Sequence, residues 1–315
     1  MKREYGLDQV VRDDRSVVTV GTFDGVHIGH RAILNYLQQR AEAQSGQSVV
    51  VSFDPHPREV VHGEAVPLLT TIEERSDVME ELGIDRFIVI EFTDAFSKLD
   101  AASFVEQVLV ERVGLKEIVI GYDHGFGRGR AGDSELLERL GGRLGFTVDV
   151  IPPQAVDEHV VSSTEIRTQL VEQGNVTLAA EMLGRSYRLT GTVIEGDKRG
   201  RTIGFPTANL AVSHPRKVVP RRGVYAVRVK GAELPADQGG MMNIGKRPTF
   251  NDSGRHQEVH LFDYEGTLYG EELRIEFVER IRDERRFEGV EALKEQLSRD
   301  RARCKAALEA VSSTA

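Results

Sequence analysis

The sequence predicts an α/β domain followed by a mainly β domain, and three observations carry that prediction. Short β-branched runs alternate with helical patterns as far as about residue 184. Beyond it, strand-like runs follow one another with only short turns between them. The chain has 315 residues, long for one compact core, which favours two domains.

The strand-like runs of the first part are Ser16–Val20, Ser48–Phe53, Arg86–Phe92, Glu117–Tyr122 and Phe146–Ile151. Helical patterns lie between them at His30–Ala43, Ile72–Leu82, Ala101–Val113 and Ser134–Leu144. In the second of these, Ile72, Val78, Met79 and Leu82 are the apolar positions among acidic neighbours. Such alternation implies βαβ units and a parallel sheet. Two more helical stretches, Ser163–Glu172 and Val176–Leu183, close this part.

After Gly184 the runs are Tyr187–Ile194, Gly223–Val229, Met241–Ile244, Glu258–Phe262 and Glu272–Val278. Without long helices between them, they predict an antiparallel sheet or small barrel. A closing helix from Val290 to Val311 places Leu293, Leu297, Cys304 and Leu308 near one face. The expected domains are therefore residues 1–184 and 185–315.

Composition excludes several classes. A formal net charge of −9 argues against general nucleic-acid or anionic-membrane binding, because the overall field repels polyanions. The one cysteine, Cys304, rules out an intrachain disulfide and a cysteine-based zinc site, and fits a reducing cytoplasm. The N-terminal residues lack the apolar core of a signal peptide, and no apolar run approaches a membrane span.

The first candidate site is Gly21-Thr22-Phe23-Asp24-Gly25-Val26-His27-Ile28-Gly29-His30, between the strand Ser16–Val20 and the following helix. A helix N-terminus at the carboxyl end of a parallel strand presents free N–H groups and a positive dipole to an anion. Gly21, Gly25 and Gly29 permit close backbone approach, and His27 and His30 fall on one side of a first helical turn. Paired imidazoles there suit a phosphate whose charge changes in a transition state. A random H-x-G-H is more often a glycine turn with exposed histidines, but the first strand–helix junction is where open α/β sheets bind ligands.

The second candidate site is Gly196-Asp197-Lys198-Arg199-Gly200-Arg201-Thr202-Ile203-Gly204-Phe205-Pro206-Thr207-Ala208-Asn209. Its glycine- and arginine-rich backbone suits phosphate as a nest of N–H groups. Thr207 and Asn209, two apart in an extended segment, face the same way, and neutral oxygens beside phosphate oxygens suit Mg2+. By itself the segment reads, by a narrow margin, as a surface hairpin. Two other patterns are set aside. Gly127-x-Gly129-x-x-Gly132 imitates a dinucleotide fingerprint but sits in a late loop, and Gly240-x-x-x-x-Gly245-Lys246 places Arg247 where a P-loop needs Ser or Thr.

These segments carry resemblances. Gly21–His30 resembles the H-x-G-H signature of the nucleotidyltransferase superfamily, and together with Phe53-Asp54-Pro55-His56-Pro57 it is similar to the flavin adenylyltransferase branch. Ser162-Ser163-Thr164-Glu165-Ile166-Arg167 resembles that branch's S-S-T-x-I-R segment, with serines suited to an N-cap and Arg167 to a phosphate clamp. Glu165 departs from a position that is often basic and is expected to point away from phosphate. Gly121-Tyr122-Asp123-His124-Gly125-Phe126-Gly127 resembles a further adenylyl-site segment, with Asp123 as the polar contact and His124 replacing an aromatic residue. No K-M-S-K-S segment accompanies the H-x-G-H, which sets class I aminoacyl-tRNA synthetases aside.

The second segment resembles the P-T-A-N signature of riboflavin kinases, with Gly223–Ala226, Asn243–Phe250, Glu258–His260 and Leu268–Gly270 in that family's order. Together the halves resemble the bifunctional riboflavin kinase/FAD synthetase family over nearly the whole chain. The resemblance implies a Rossmann-like nucleotidyltransferase domain followed by a kinase barrel. It implies a C-terminal module that uses ATP and Mg2+ to convert riboflavin to FMN, and an N-terminal module that converts FMN and ATP to FAD and pyrophosphate. It assigns His27 and His30 to charge stabilisation, with Gly21, Phe23, Asp24, Gly29, Asp123, Ser163, Thr164 and Arg167 at the nucleotide. It assigns Glu258 as general base, Thr207 and Asn209 to Mg-ATP, and Gly196, Lys198, Gly200 and Gly204 to phosphate. Asn243, Arg282 and Phe287 fall near the flavin. Alternatives from other readings are an adenylyltransferase for another small phosphate with a non-catalytic flavin-binding domain, and a non-enzymatic flavin sensor.

Overall fold

A computed structural model describes residues 1–122, 125–127, 132–152, 155–156, 159–196, 199–246 and 255–312. The chain divides into two compact units, Met1–Ser163 and Thr164–Ala315.

The first unit is built on a six-stranded parallel sheet of β1 (Lys2–Tyr5), β2 (Ser16–Val20), β3 (Gln47–Asp54), β4 (Arg86–Glu91), β5 (Leu115–Gly121) and β6 (Thr147–Ile151). The spatial order is β1-β4-β3-β2-β5-β6. Chain progression therefore reverses between β2 and β5, and the carboxyl ends of these two strands flank the crevice where such sheets hold ligands. Every residue of β2 is buried, as a central parallel strand requires.

Alternating side chains feed two cores. Val17, Val50, Phe87 and Val119 pack with Leu34, Leu37 and Ala41 of α1 (Ile28–Ala43) and with Val78 and Met79 of α3 (Ile72–Glu81). Val18, Val49, Ile88 and Ile118 pack on the opposite face with Phe104, Val105 and Leu109, and with Leu137 and Leu140 of α6 (Ser134–Leu144). Local signals start these helices: Thr71 and Glu74 form a reciprocal capping box on α3, and Asp133 accepts from Leu136 N–H on α6.

The expected helix Ala101–Val113 is present, but only α5 (Ala101–Ser103) is α-helical and Phe104–Val113 is a π-helix ending at Gly114. Pattern reading did not anticipate β1, the short α2 (Pro57–His62), α4 (Asp94–Ser97), or the hairpin of β7 (Ala155–Val156) and β8 (His159–Val160).

The second unit opens with α7 (Ser163–Thr168, whose first residue closes the first unit), a π-helical turn Gln169–Gln173 and α8 (Val176–Leu183). A closed antiparallel barrel follows, made of β9 (Arg188–Ile194), β10 (Ala208–Val212), β11 (Gly223–Lys230), β12 (Gly239–Lys246), β13 (Arg255–Leu261) and β14 (Glu272–Arg282). Its order is β10-β13-β12-β11-β14-β9, closing from β9 back to β10. A one-turn α9 (Arg199–Thr202) lies between β9 and β10. The alternate residues Tyr225, Val227 and Val229 of β11 are fully buried, with Tyr225 edge-on to Phe277 at 5.3 Å. The other face of β11, through Val224 and Ala226, packs with Met241, Phe262 and Ile281 against Cys304 and Leu308 of α10 (Val290–Ser312). Of the expected apolar face of the closing helix, Leu297, Cys304 and Leu308 pack on the barrel.

Candidate functional site

The segment after β2 makes a tight loop before α1. Phe23, Gly25 and Val26 all have positive φ, at 48°, 83° and 44°. Holding a bulky or β-branched residue there stores backbone strain that its surroundings must offset. The offset is visible. Phe23 and Val26 are buried in the core beneath α1. The Asp24 carboxylate accepts from Leu69 N–H at 3.0 Å, Thr70 N–H at 2.9 Å and Thr70 Oγ1 at 3.1 Å. Thr70 Oγ1 in turn accepts from Gly25 N–H at 2.9 Å.

Arg75, 3% exposed, lies behind this knot, with Nη2 3.6 Å from Asp24 Oδ1 and Nη1 3.2 Å from Ser52 Oγ. Burial pulls the Arg75 guanidinium below its ordinary value, partly opposed by the Asp24 charge. Ser163 Oγ, at the end of the first unit, donates to the Asp24 carbonyl at 2.9 Å.

On top of this base sits the histidine pair. His27 is the N-cap of α1, and its Nδ1 accepts from His30 N–H at 3.3 Å. A neutral His27 with Nδ1 accepting carries its proton on Nε2. The two rings stack with centroids 3.6 Å apart, and Phe23 meets His30 edge-on at 5.0 Å. Two glycines make room for these rings: a Cβ on Gly29 would stand 3.2 Å from the His27 ring, and one on Gly21 3.1 Å from the Phe23 ring. Gly21, Phe23, Asp24, His27, Gly29, His30 and Ser163 are thus brought together around one loop.

Asp123, expected beside them at the end of β5, lies outside the described residues, as does His124. Thr164 and Arg167 lie on α7 within the second unit. Glu165 accepts from Gln169 Nε2 at 2.8 Å, one turn along.

Near the carboxyl ends of β3 and β4 is an aromatic group that motif reading missed. Phe53 lies 5.4 Å from Phe92 and 6.3 Å from Phe104, and Phe104 lies 5.8 Å from Phe126. Only the clustering of phenylalanines after consecutive strands hinted at it.

In the barrel, strand register assembles the second set. Asn209 on β10 is directly opposite Glu258 on β13, and Glu258 is directly opposite Asn243 on β12. The row continues through Val224 on β11 to Arg282 on β14. Directly paired residues point to the same face, so Asn209, Glu258 and Asn243 are neighbours although 49 residues (258 − 209) separate the first two in sequence. Arg282 donates from Nε and Nη2 to Asp300 of α10 at 2.8 and 2.7 Å, and lies 5.7 Å from the Phe287 ring centroid.

The loop feeding β10 is folded around its glycines. A Cβ on Gly196 would collide with the Asn209 amide at 2.0 Å, and one on Gly200 with the Phe205 carbonyl at 2.2 Å. Gly204 has φ 83°. The glycines therefore let the segment close on itself, with Phe205 N–H donating back to Gly200 O at 2.9 Å. Where the sequence suggested a continuous loop, Arg199–Thr202 forms a helical turn. Lys198 lies outside the described residues.

Thr207 is half-buried one residue before β10, and Asn209 is buried. Asn209 Oδ1 has no hydrogen-bond partner among the described residues. A buried carbonyl oxygen left in this state is ready for a cation or donor. His260 anchors the loop from the next strand: its Nδ1–H donates to Pro206 O at 2.8 Å. Burial pushes the His260 imidazole below its ordinary value.

The fold and its two sites define a two-module nucleotide-dependent transferase: a parallel sheet with a histidine pair at its switch point, and a closed barrel with an amide–carboxylate–amide row. The FAD synthetase family profile matches residues 10–165, and the riboflavin kinase profile matches residues 183–308. The chain is 39% identical to the bifunctional riboflavin kinase/FMN adenylyltransferase of Pseudomonas fluorescens, covering 97% of each chain. It is 37% identical to that of Bacillus subtilis strain 168, covering 91% of this chain and 90% of the relative. A crystal structure titled a macrolide-efflux protein from Streptococcus pneumoniae superposes with a TM-score of 0.88 at 29% identity, over 97% of this chain and 99% of that one. No helix among the described residues is long and apolar enough to cross a membrane. This chain belongs to the bifunctional riboflavin kinase/FMN adenylyltransferase family.

Proposed function

We propose that residues 185–315 phosphorylate riboflavin at the Asn209–Glu258–Asn243 row, and that residues 1–184 adenylylate the resulting FMN at the His27/His30 pair. The register that sets Asn209 and Asn243 on either side of Glu258 carries the kinase assignment. Glu258 takes the proton from the ribityl 5′-hydroxyl as that oxygen attacks the γ-phosphorus of ATP, the bond from that phosphorus to the β,γ-bridging oxygen breaks and ADP leaves. Asn209, through its unsatisfied Oδ1, and Thr207, through its hydroxyl, fit Mg2+. Mg2+ held there with ATP would supply neutralisation of phosphate charge. Asn243 and Phe287 flank the flavin side, and Arg282, held by Asp300, orders that flank.

In the first module, the FMN phosphate attacks the α-phosphorus of ATP and pyrophosphate leaves. The stacked rings of His27 and His30 at the start of α1 support a role in stabilising that charge. Asp24 acts through position: its carboxylate turns inward and its neighbours, Phe23 and the glycines, set the loop. The half-buried rings of Phe53 and Phe92 offer an apolar face suited to the flavin ring. The single, buried thiol fits a cytoplasmic protein.

The test is a time course. Purified full-length protein with riboflavin, ATP and Mg2+ is expected to give FMN first and FAD after it, read by chromatography. FAD formed only from added FMN, with none from riboflavin, overturns the kinase assignment, and no flavin product overturns both.

A further inference from the structure

Glu258 shares its face of β13 with His256, two residues before it. His256 Nε2 lies 2.6 Å from Glu258 Oε1. That separation is in the range of a hydrogen bond strengthened by the carboxylate charge. We propose that His256 is a positioning residue for riboflavin phosphorylation: its Nε2–H donates to Oε1 of Glu258, fixes the carboxylate rotamer and leaves Oε2 for the substrate hydroxyl. The proposal rests on the reading of Glu258 as the base.

The surroundings favour this division of labour. Asn209 and Asn243, on either side of Glu258, are neutral amides, so neither balances the carboxylate charge. His256 supplies a ring N–H from the same strand. Directly opposite His256 on β12 is Gly245, where a Cβ would stand 2.6 Å from Glu284 Oε1. The missing side chain leaves room that the Glu284 carboxylate and the Asn243 amide occupy. With Oε1 of Glu258 engaged, the carboxylate is held in one orientation rather than sampling several rotamers. A base oriented by a third group is the general arrangement of activated nucleophiles.

The pair contributes little to folding. The two side chains are 23% and 31% exposed, and partly exposed ion pairs add little stability. Their coupling is read in turnover instead, because small misplacement of a reacting group costs rate far more than stability.

The experiment compares riboflavin phosphorylation by the full-length protein and its His256→Ala, His256→Gln, Glu258→Gln and His256→Ala/Glu258→Gln forms. His256→Ala is expected to lower kcat about 10-fold or more, with KM for riboflavin and ATP changed less than about twofold. His256→Gln, which keeps an N–H donor at similar reach, restores most of kcat. In the Glu258→Gln background, His256→Ala adds no further loss, because it acts only through that carboxylate. Circular dichroism and thermal melting of the same preparations report intact folding of the barrel, and conversion of added FMN to FAD stays at the wild-type rate.

Wild-type kcat in His256→Ala, or the same loss with and without Glu258, overturns the positioning role. A His256→Gln form as slow as His256→Ala overturns it as well and points to the imidazole itself as proton acceptor. Glu258→Gln inactive with His256→Ala unaffected sinks the role of His256 alone. Wild-type turnover in Glu258→Gln removes the base assignment and the positioning role with it.

Discussion

Asn209 and Glu258 are direct partners across the β10–β13 ladder, and both side chains stand on the face that carries Asn243. One strand thus supplies a carboxylate and the next a buried amide oxygen without a hydrogen-bond partner among the described residues. Separated function is the expected consequence. Glu258→Gln and Asn209→Ala should slow riboflavin to FMN by about 10²–10⁴-fold while FMN to FAD continues. His27→Ala and His30→Ala should do the reverse. Both rates are measured on one preparation of each variant, with circular dichroism to establish folding. A correctly folded single variant that loses both steps contradicts two independent sites.

The strong periodic elements were legible in the sequence. The fully buried β2 betrays itself by a β-branched run, and α3 by the spacing of Ile72, Val78, Met79 and Leu82. By contrast, β1 reads Lys-Arg-Glu-Tyr, because an edge strand tolerates charge and its buried Glu4 pairs with Arg86 from the neighbouring strand. The α2 helix begins at Pro57 with His56 as its cap, so its start imitates a proline-rich loop. Local motifs located Thr207, Asn209 and Glu258. Their alignment in one row depends on pairing between distant strands, which periodicity does not encode. Likewise Asp24 stands out in its motif, but only its bonds to Leu69 and Thr70 reveal that its carboxylate faces inward. His256 was visible only as a residue two positions before a strand glutamate.

Gly29 separates packing of the histidine pair from stability. It is the second residue of α1, where alanine is favoured over glycine by roughly 0.5–1 kcal/mol. Yet the added methyl would press on the His27 ring at 3.2 Å. Gly29→Ala should therefore leave Tm nearly unchanged, because propensity and crowding offset each other. It should slow FMN adenylylation by about 10-fold, because the ring must shift. Thermal melting and steady-state FAD formation test both halves, and an unchanged FAD rate shows that the His27 ring position is not critical.

The buried pair Glu4–Arg86, 2.9 Å apart, joins β1 to β4. Arg86→Met should destabilise the first unit by up to about 3–5 kcal/mol, because it leaves the buried carboxylate with only the half-exposed Lys2 ammonium as counter-charge. Burial pushes the Glu4 carboxyl up, but hydrogen bonds and charge from Arg86 and Lys2 outweigh it and hold the group below its ordinary 4.5. A depressed carboxylate contributes stability that is complete above about pH 4.5 and is lost as pH falls through the folded-state value. Glu4→Gln should flatten that acid limb in denaturant titrations of the full chain. An acid limb of unchanged slope removes Glu4 from its causes.

Cys304 offers a reporter of the barrel–helix core. Its side chain is fully buried under α10 among Val224, Met241, Phe262 and Leu308. Burial, aided by the negative charge of Asp300, pushes its thiol up to about 12. Near neutral pH almost none of it is thiolate, the form that attacks a disulfide reagent. The native protein should therefore react with an aromatic disulfide reagent only through opening of the helix from the barrel, while the denatured chain reacts at once with one equivalent. Leu308→Ala, which opens a cavity beside the thiol and costs about 2–5 kcal/mol, should speed the native reaction severalfold before any change in circular dichroism. Fast labelling of the wild-type protein under native conditions places Cys304 outside the core and overturns this assignment of the helix face.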